Sequence, residues 1–305
     1  FFSTHTPPTQ ILSGLVGSEM CIRDRLKLII GLLLIFISNS ISKPVKEGAL
    51  TTELVSSKES IHPGETIDIA LRIKPNEGWH TYWKSPGIVG VPTKIDWTLP
   101  EGLKVGEILW PQPQTVKMGP YDAYGYHKEV FLVVPLTSSG SLEPGKKLFV
   151  KARVSWMCCS KVCQPGFADL SLELPISKKS QRIKNTKWSQ SIIKSRSTFP
   201  LVNESWETSA VLKGDDIELT LKKIKGKNPT TPNNPYFFCE DGLIHSDKKQ
   251  IIQIPSKESI ILKLHISEFG PKKPTHLKGI FFNKSGLPET SGAPPIYINA
   301  PIAGY

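Results

Sequence analysis

The strongest constraint on the fold is a series of short runs between residues 50 and 176, some with alternating apolar and polar residues and others, such as 130–136, nearly all apolar. Glycine and proline separate the runs, and the chain has 23 and 26 of them. Alternation at period two is typical of strands that bury one face. The runs predicted as strands are 66–73, 103–110, 130–136, 148–156 and 168–176. Residues 43–176 are therefore predicted to form an all-β domain, an antiparallel β-sandwich of immunoglobulin-like type.

Residues 177–200 interrupt this pattern. Trp188, Ile192 and Ile193 have helical spacing, which predicts a linker with a short helix. Residues 201–305 return to strand patterns, at 211–222, 251–254, 260–266 and 277–282. This part is interpreted as a second β-rich, sandwich-like domain that acts as a scaffold or a docking domain.

The N-terminal segment is typical of a targeting signal. Basic residues precede ten apolar ones, LIIGLLLIFI (28–37), and small residues follow at Ser40 and Ser42. Residues 26–42 are therefore predicted to be a signal peptide, with an uncleaved anchor as the alternative, and the protein is expected to be exported. Residues 1–25 resemble translated sequencing-adapter sequence, so they are interpreted as an artefact.

Charge does not indicate a nucleic-acid partner. The chain has 38 Lys and Arg against 27 Asp and Glu, a net charge of +11. The densest basic run, 178–196, favours a solvated linker face over a surface for an anionic membrane or nucleic acid. Aromatic and basic residues do not interleave as in RNA-binding segments, and no hydrolase or kinase motif stands out.

Three cysteines lie close together in WMCCSKVCQPG (156–166), and a fourth lies far away at Cys239. An oxidising compartment permits disulfides between them. Cys159 and Cys163 are predicted at the two ends of a hairpin connection, where a disulfide can form. Cys158 should point to the opposite face of the strand. The pair Cys159 and Cys163 is therefore favoured, and Cys158 with Cys163 is the runner-up.

The cluster has three possible chemistries. A disulfide across so short a loop is a weak staple, which favours redox exchange over a structural role. Thiolates also suit Cu(I) or zinc, with Met118, Met157 or His127 as further ligands, but no set of ligands with zinc-site spacing is present. No metal or other cofactor is therefore expected. A redox cysteine on a hairpin lacks a helix dipole and would depend on neighbours such as Lys161.

Three segments resemble a known family. They are GWHTYWKSPGIVGVPTKIDWTLPEGLKVGEILWPQP (78–113), YGYHKEVFLVVPL (124–136) and WMCCSKVCQPG (156–166). Together they resemble the N-terminal periplasmic domain of the DsbD and ScsB family of thiol:disulfide interchange proteins. The resemblance covers about residues 50–176 and is strongest with the ScsB-like branch, where a tryptophan precedes CxxxC and a Pro-Gly pair.

The resemblance implies an immunoglobulin-like domain with protein-disulfide reductase activity. Such a domain takes electrons from a membrane-embedded electron-transfer domain and passes them to thioredoxin-like periplasmic proteins. By position, Cys159 and Cys163 would be the catalytic pair, with Cys158 as a possible alternative thiol that competes as nucleophile or pairs with Cys239. Replacing Cys163 with Ala is expected to trap a mixed disulfide through Cys159. The family's membrane and thioredoxin-like domains are absent, so the chain is interpreted as a fragment or a stand-alone carrier.

The resemblance also implies a cap loop that shields the pair until a partner docks. The matching segment is 121–127, with Tyr124 as the cap aromatic and Asp122 and Tyr126 beside it, although Ala123 is the alternative in the cap position. His80 and His127 either tune a cysteine pKa or are hydrogen-bonded loop residues. The loop at 86–90 is either a docking element or a turn.

The rival from another functional class is a secreted β-sandwich binding module without catalysis, in which the cysteines form a stable staple. A third interpretation is a module that handles Cu(I).

Overall fold

Described residues in the computed structural model are 42–286 and 293–304. The predicted artefact, 1–25, and all of the predicted signal peptide except Ser42 lie outside this range, so both stay predictions. The described residues fall within one compact unit, Ser40–Tyr305. Within them, no helix is long and apolar enough to cross a membrane.

The N-terminal part consists of short strands that follow one another along the chain. They are β1 (Val45–Glu47), β2 (Leu50–Ser56), β3 (Thr66–Pro75), β4 (His80–Tyr82), β5 (Lys94–Thr98), β6 (Leu103–Val105), β7 (Gln114–Met118), β8 (Tyr121–Tyr126), β9 (Val130–Ser138), β10 (Lys147–Cys159) and β11 (Cys163–Pro175). One sheet has the order β1-β2-β3-β9-β6, and the other has the order β11-β10-β4-β8-β7, with β5 also paired to β10. Every strand pair in both sheets is antiparallel.

A shared core joins these two sheets. Leu54 and Leu132 from the first sheet and Val154 and Leu170 from the second belong to one buried cluster. Along β10, buried and exposed side chains alternate, as expected for a strand with one face in the core. The predicted antiparallel β-sandwich is therefore confirmed.

One predicted strand, 103–110, is shorter than expected. Pairing with β9 ends after Val105. The carbonyl of Pro135 on β9 accepts a hydrogen bond from the amide of Gly106, but Pro135 has no amide N–H to donate a second bond back to Gly106. The segment rejoins β9 only at the isolated bridge between Leu109 and Val133.

The C-terminal part is one helix followed by strands. They are α1 (Ser189–Arg196), β12 (Leu201–Val202), β13 (Trp206–Lys213), β14 (Asp216–Lys223), β15 (Pro235–Cys239), β16 (Ile251–Ser256), β17 (Ser259–His265), β18 (His276–Asn283) and β19 (Ile296–Ala303). These strands form a sheet of order β15-β18-β19-β13-β14-β17-β16, with β12 paired to β19. The helix confirms the helical spacing in the linker, while the domain boundary at 177–200 stays a prediction.

The predicted strand 211–222 is wrong, because the chain turns back within it. Gly214 has φ +62°, a left-handed backbone conformation that glycine adopts without strain, and it separates β13 from β14. The two strands pair as a tight hairpin in which Lys213 lies opposite Asp216.

The C-terminal part also packs against the sandwich. Phe238 and Phe282 belong to the same buried cluster as the sandwich core. The ring of Tyr124 in β8 lies 5.2 Å from that of Phe238, measured between centroids. The sheet that carries the cysteines is thus supported by residues far downstream in the sequence.

Helix α1 packs on the outer face of the first sheet, and Ile192 is its buried apolar residue. Ile192 is fully buried in a cluster with Phe131 and Val133, whereas its neighbour Ile193 is 54% exposed. We expect Ile192→Ala to lower the free energy of unfolding by about 2–4 kcal/mol, since it removes buried methyl groups and leaves a cavity. Urea unfolding measures this loss. Ile193→Ala is the matched control and should cost less than about 0.5 kcal/mol; equal losses would contradict the packing.

Candidate functional site

The three clustered cysteines lie at the end of the β10–β11 hairpin. The strand register places Cys159 opposite Cys163, and residues 160–162 connect them. The two sulfurs form a disulfide, with the α-carbons 4.1 Å apart. The structure therefore joins the pair that the sequence favoured, and it leaves Cys158 as a free thiol.

Trp156 and Gly166 shape this end of the hairpin. They lie opposite each other across the two strands. A Cβ built on Gly166 would lie 2.7 Å from Cε2 of Trp156, closer than such atoms approach in proteins. The glycine thus makes room for the indole, which is buried in the sandwich core. The spacing of tryptophan, cysteines and glycine in the sequence reflects this cross-strand contact.

The two disulfide-bonded cysteines differ in exposure. Cys159 is fully buried, whereas Cys163 is exposed at the hairpin end beside Val162, which is 58% exposed. Of the two disulfide-bonded residues, Cys163 is therefore the one accessible from solvent.

Cys159 lies in a small apolar cluster on the outer face of the second sheet. We call this the disulfide cluster; its members are Tyr82, Val116, Ala123 and Cys159, with Val89, Met118 and Met157 packed against them. Cys158, one residue earlier, belongs instead to the sandwich core. The two adjacent cysteines thus point to opposite faces, as strand alternation predicts.

Two segments cover the Cys159 side of the disulfide, and we call them together the cover. One is the loop 86–90, which contributes Val89, and the other is the β7–β8 hairpin, which contributes Val116, Ala123 and Met118. Sδ of Met118 lies 3.5 Å from Sγ of Cys163. The sulfur of a disulfide carries no proton, so this is a van der Waals contact between two polarisable atoms.

The loop 86–90 lies directly on Tyr82. Gly90 has φ +101°, and a Cβ built on it would lie 2.3 Å from Cε1 of Tyr82. Only glycine allows the backbone to come this close to the ring. The loop, which the sequence left open as a docking element or a turn, thus forms part of the cover in this structure.

Tyr124, expected to cap the disulfide, does not lie over it in the structure. Its ring is fully buried and packs against Tyr236 and Phe238, on the opposite side of the strand from the disulfide cluster. Ala123, the alternative, does lie in the disulfide cluster. The correction follows from strand alternation, because adjacent residues on β8 face opposite ways.

The side chains of Asp122 and Tyr126 also contact other residues than the two disulfide-bonded cysteines. The carboxylate of Asp122 forms an ion pair of 2.6 Å with Lys117. The buried hydroxyl of Tyr126 donates a hydrogen bond of 2.8 Å to the carbonyl of Pro111. Both residues hold the β7–β8 hairpin in place and neither touches the disulfide.

His80 lies directly opposite Cys159 on β4, in a buried strand position. Its Nε2 lies 3.3 Å from the hydroxyl of Tyr82, and its ring centroid lies 5.6 Å from that of His127. Burial, together with the nearby charge of His127, lowers the pKa of His80 to about 4. Burial raises the pKa of Tyr82 to about 12. Both side chains are therefore neutral at neutral pH.

The two free thiols are poor nucleophiles. Burial raises the pKa of Cys158 to about 11. Burial, followed by the charge of Asp241, raises the pKa of Cys239 to about 12. Because the thiolate is the reactive species, neither competes with the pair at neutral pH. Cys239 lies in the core of the C-terminal sheet, in a different cluster from Cys158.

Within residues 42–286 and 293–304, no three or more His, Cys, Asp or Glu side chains are grouped to hold a metal ion. Of the thioethers considered as ligands, Met118 contacts Cys163 and Met157 packs against the disulfide cluster. Both pack against apolar residues as part of that cluster.

Sequence reasoning missed the apolar character of the cover. Val89 and Met118 carried no signal for it, since they are 74 and 45 residues away from Cys163. The glycines of the loop 86–90 were the one visible sign, because left-handed or crowded backbone positions often require glycine.

Comparison with known proteins gives a consistent picture. Residues 51–175 match the family model described as "Thiol:disulfide interchange protein DsbD, N-terminal". No curated protein sequence matches the chain.

A crystal structure of the N-terminal periplasmic domain of ScsB from Proteus mirabilis has a similar fold. The TM-score is 0.62 at 17% sequence identity, and the alignment covers 88% of this chain and all of that domain. Residues 51–175 alone cannot supply 88%, so the likeness in fold extends into the C-terminal part. The collagen adhesin CNA from S. aureus aligns over 87% of this chain and 94% of its own, with 10% identity and a TM-score of only 0.18, too low to bear on the fold.

The low pKa of His80 predicts a stability that depends on pH. Between about pH 6.5 and pH 4 the unfolded chain binds a proton at His80 that the folded protein does not, so stability falls as the pH falls through this window. From pH 7 to pH 5 we expect this histidine to account for a loss of about 2 kcal/mol. Urea unfolding of the wild type and His80→Gln at both pH values isolates it. An equal loss in both proteins would show that His80 is not responsible.

Proposed function

Residues 51–175 belong to the DsbD N-terminal family of thiol:disulfide interchange proteins, and on this premise we propose that the chain exchanges disulfides through Cys159 and Cys163. The proposed setting is the periplasm. The proposed electron donor is a membrane-embedded electron-transfer domain, and the proposed acceptors are thioredoxin-like periplasmic proteins. The activity is that of a protein-disulfide reductase that works within a larger system.

The observation that carries the proposal is the unequal exposure of the two sulfur-bearing residues. An exposed Cys163 gives a partner one sulfur to attack, and a buried Cys159 keeps the second sulfur away from other thiols. A disulfide that served only as a staple would gain little here, because the strands it joins are already paired and the enclosed loop is short.

The exchange can be written with all atoms and electrons accounted for. A donor thiolate attacks Sγ of Cys163, the bond to Sγ of Cys159 breaks, and the Cys159 thiolate takes up a proton. The donor's second thiolate then attacks the mixed disulfide, leaving an oxidised donor and a reduced pair. In the second half, Cys163 attacks the acceptor's disulfide, and Cys159 releases the reduced acceptor. Two electrons move in each half.

This geometry changes the trapping experiment expected from the sequence. Cys159→Ser leaves the exposed Cys163 without its resolving partner, so we expect a long-lived mixed disulfide through Cys163. Cys163→Ser leaves only the buried Cys159 and should trap little. The measurement is non-reducing electrophoresis with mass spectrometry after reaction with a thioredoxin-like disulfide protein.

Cys158→Ser is the control for this experiment, because it keeps the pair intact and should trap no more than the wild type. Trapping through Cys159 rather than Cys163 would contradict the assigned order of attack. Absence of any trapped species in all variants would reject the exchange function.

A second experiment separates an electron carrier from a staple. We expect the Cys159–Cys163 bond to open in a glutathione titration at a potential well above the roughly −300 mV of inert structural disulfides. Alkylation and peptide mass spectrometry identify the cysteines that change state. A bond that stays closed to lower potentials, together with a large loss of stability in Cys159→Ser/Cys163→Ser, would instead support a binding module with a structural disulfide.

A further inference from the structure

One buried hydroxyl group in the C-terminal part contacts both segments of the cover. The Oγ of Ser246 accepts a hydrogen bond of 3.1 Å from the amide of Ile88, in the loop 86–90. The same Oγ donates a hydrogen bond of 2.7 Å to the carbonyl of Asp122, in the β7–β8 hairpin. Ser246 is 1% exposed, so water does not compete for either bond.

The backbone around Ser246 is held in place by close packing. The hydroxyl of Tyr236 donates a hydrogen bond of 3.2 Å to the carbonyl of Ser246. On the other side lies Gly87, with φ +95°, where an added Cβ would lie 2.2 Å from Oγ of Ser246. The loop and the serine are thus in direct contact, with no room for a side chain at Gly87.

An ion pair links the same two parts of the molecule nearby. Nζ of Lys84, which precedes the loop, binds the carboxylate of Glu240 at the end of β15. Both side chains are partly exposed, with 35% and 26% of their surface accessible. In water such a pair contributes less than the buried serine bonds, so it serves as a weaker second tether.

These contacts matter for the disulfide because the tethered segments are those that cover it. The loop contributes Val89 to the disulfide cluster, and the hairpin contributes Ala123 and the Met118 that touches Cys163. Cys163 is exposed, so the cover bears on the exchange through Met118, which lies against Sγ of Cys163, and through the residues packed around Cys159, whose sulfur must move away when the bond breaks. A shift of the loop 86–90 or of the hairpin that makes room for this movement strains the bonds at Ser246.

We propose that Ser246 is a positioning residue for disulfide exchange, which holds the cover in place around Cys159 and so sets how easily the sulfur of Cys159 separates from that of Cys163. This inference rests on the proposed function for its biological meaning. The C-terminal part then does more than support the sandwich: it sets how readily the disulfide opens.

The test is the rate at which dithiothreitol reduces the disulfide in Ser246→Ala. Exchange through a rare open state proceeds in proportion to that state's population. Loss of a hydrogen bond of ordinary strength should raise this population and the rate about five-fold. Re-oxidation should speed up by the same factor, so the equilibrium with glutathione should not change. A general loss of structure in the variant would not raise the rates of reduction and re-oxidation by the same factor.

Ser267→Ala is the matched control. Ser267 is also a buried serine of the C-terminal part, but its hydroxyl accepts a bond only from the nearby amide of Phe269. Its reduction rate should equal that of the wild type. A rate for Ser246→Ala that matches this control, or a rise in one direction with a shifted equilibrium, would overturn the proposal.

Should Ser246→Ala fail to fold, Lys84→Gln carries the test. This variant breaks only the weaker tether and should raise both rates about two-fold, a change within the range of a partly exposed ion pair. Unchanged rates in this variant would then overturn the proposal.

Because dithiothreitol is a small reagent, the reduction rate that it measures is independent of protein partners. A failed trapping experiment with faster reduction would reject the exchange function and keep the role of Ser246.

Discussion

A continuous ladder of backbone pairs, from Lys147 opposite Pro175 to Cys159 opposite Cys163, determines most of what this molecule can do. The ladder directs alternate side chains of β10 into the sandwich core, and at its end it brings the two sulfurs within bonding distance. Core packing and redox geometry therefore depend on one register. The disulfide does not create this register, since strand pairing and the contact of Trp156 with Gly166 already hold the strands together.

The two faces of the second sheet have separate tasks. The inner face carries the large apolar side chains that hold the sandwich together, including Trp156 and Tyr124. The outer face carries the disulfide cluster, which is small and is not covered by another sheet. The β7–β8 hairpin belongs to the second sheet and is anchored in the core through Tyr124, whereas the loop 86–90 lies outside the strands, so the loop is the part of the cover best able to move.

Several features of the fold could be predicted from the sequence. Strand-like runs in the sequence identified the long strands β3, β9, β10 and β11 of the sandwich, and the spacing of Trp188 and Ile192 identified the helix. The hairpin predicted around the cysteines was enough to indicate the disulfide between Cys159 and Cys163. The errors arose where short-range patterns are ambiguous: the 211–222 run contains a turn at Gly214, and the ladder after Val105 depends on Pro135, more than twenty residues away.

The cover was beyond the reach of sequence reasoning for a different reason. Family resemblance pointed to a segment that contacts the disulfide cluster through Ala123, but the orientation of Tyr124 and Ala123 depends on a strand register that a shift of one residue reverses. The contacts of Ser246 join residues 124 and 158 positions apart. Such contacts between distant residues leave no periodicity in a single sequence, so only the folded molecule shows them.

Because Cys158 is next to Cys159, the β10–β11 register also matters during folding. A slip of β10 by one residue would bring Cys158, instead of Cys159, to face Cys163. A bond formed in that state would lock the hairpin out of register and turn the core residues of β10 towards solvent. In an oxidising compartment, a bond of Cys158 with Cys163 formed before the register is set would therefore oppose burial of Trp156 in the sandwich core.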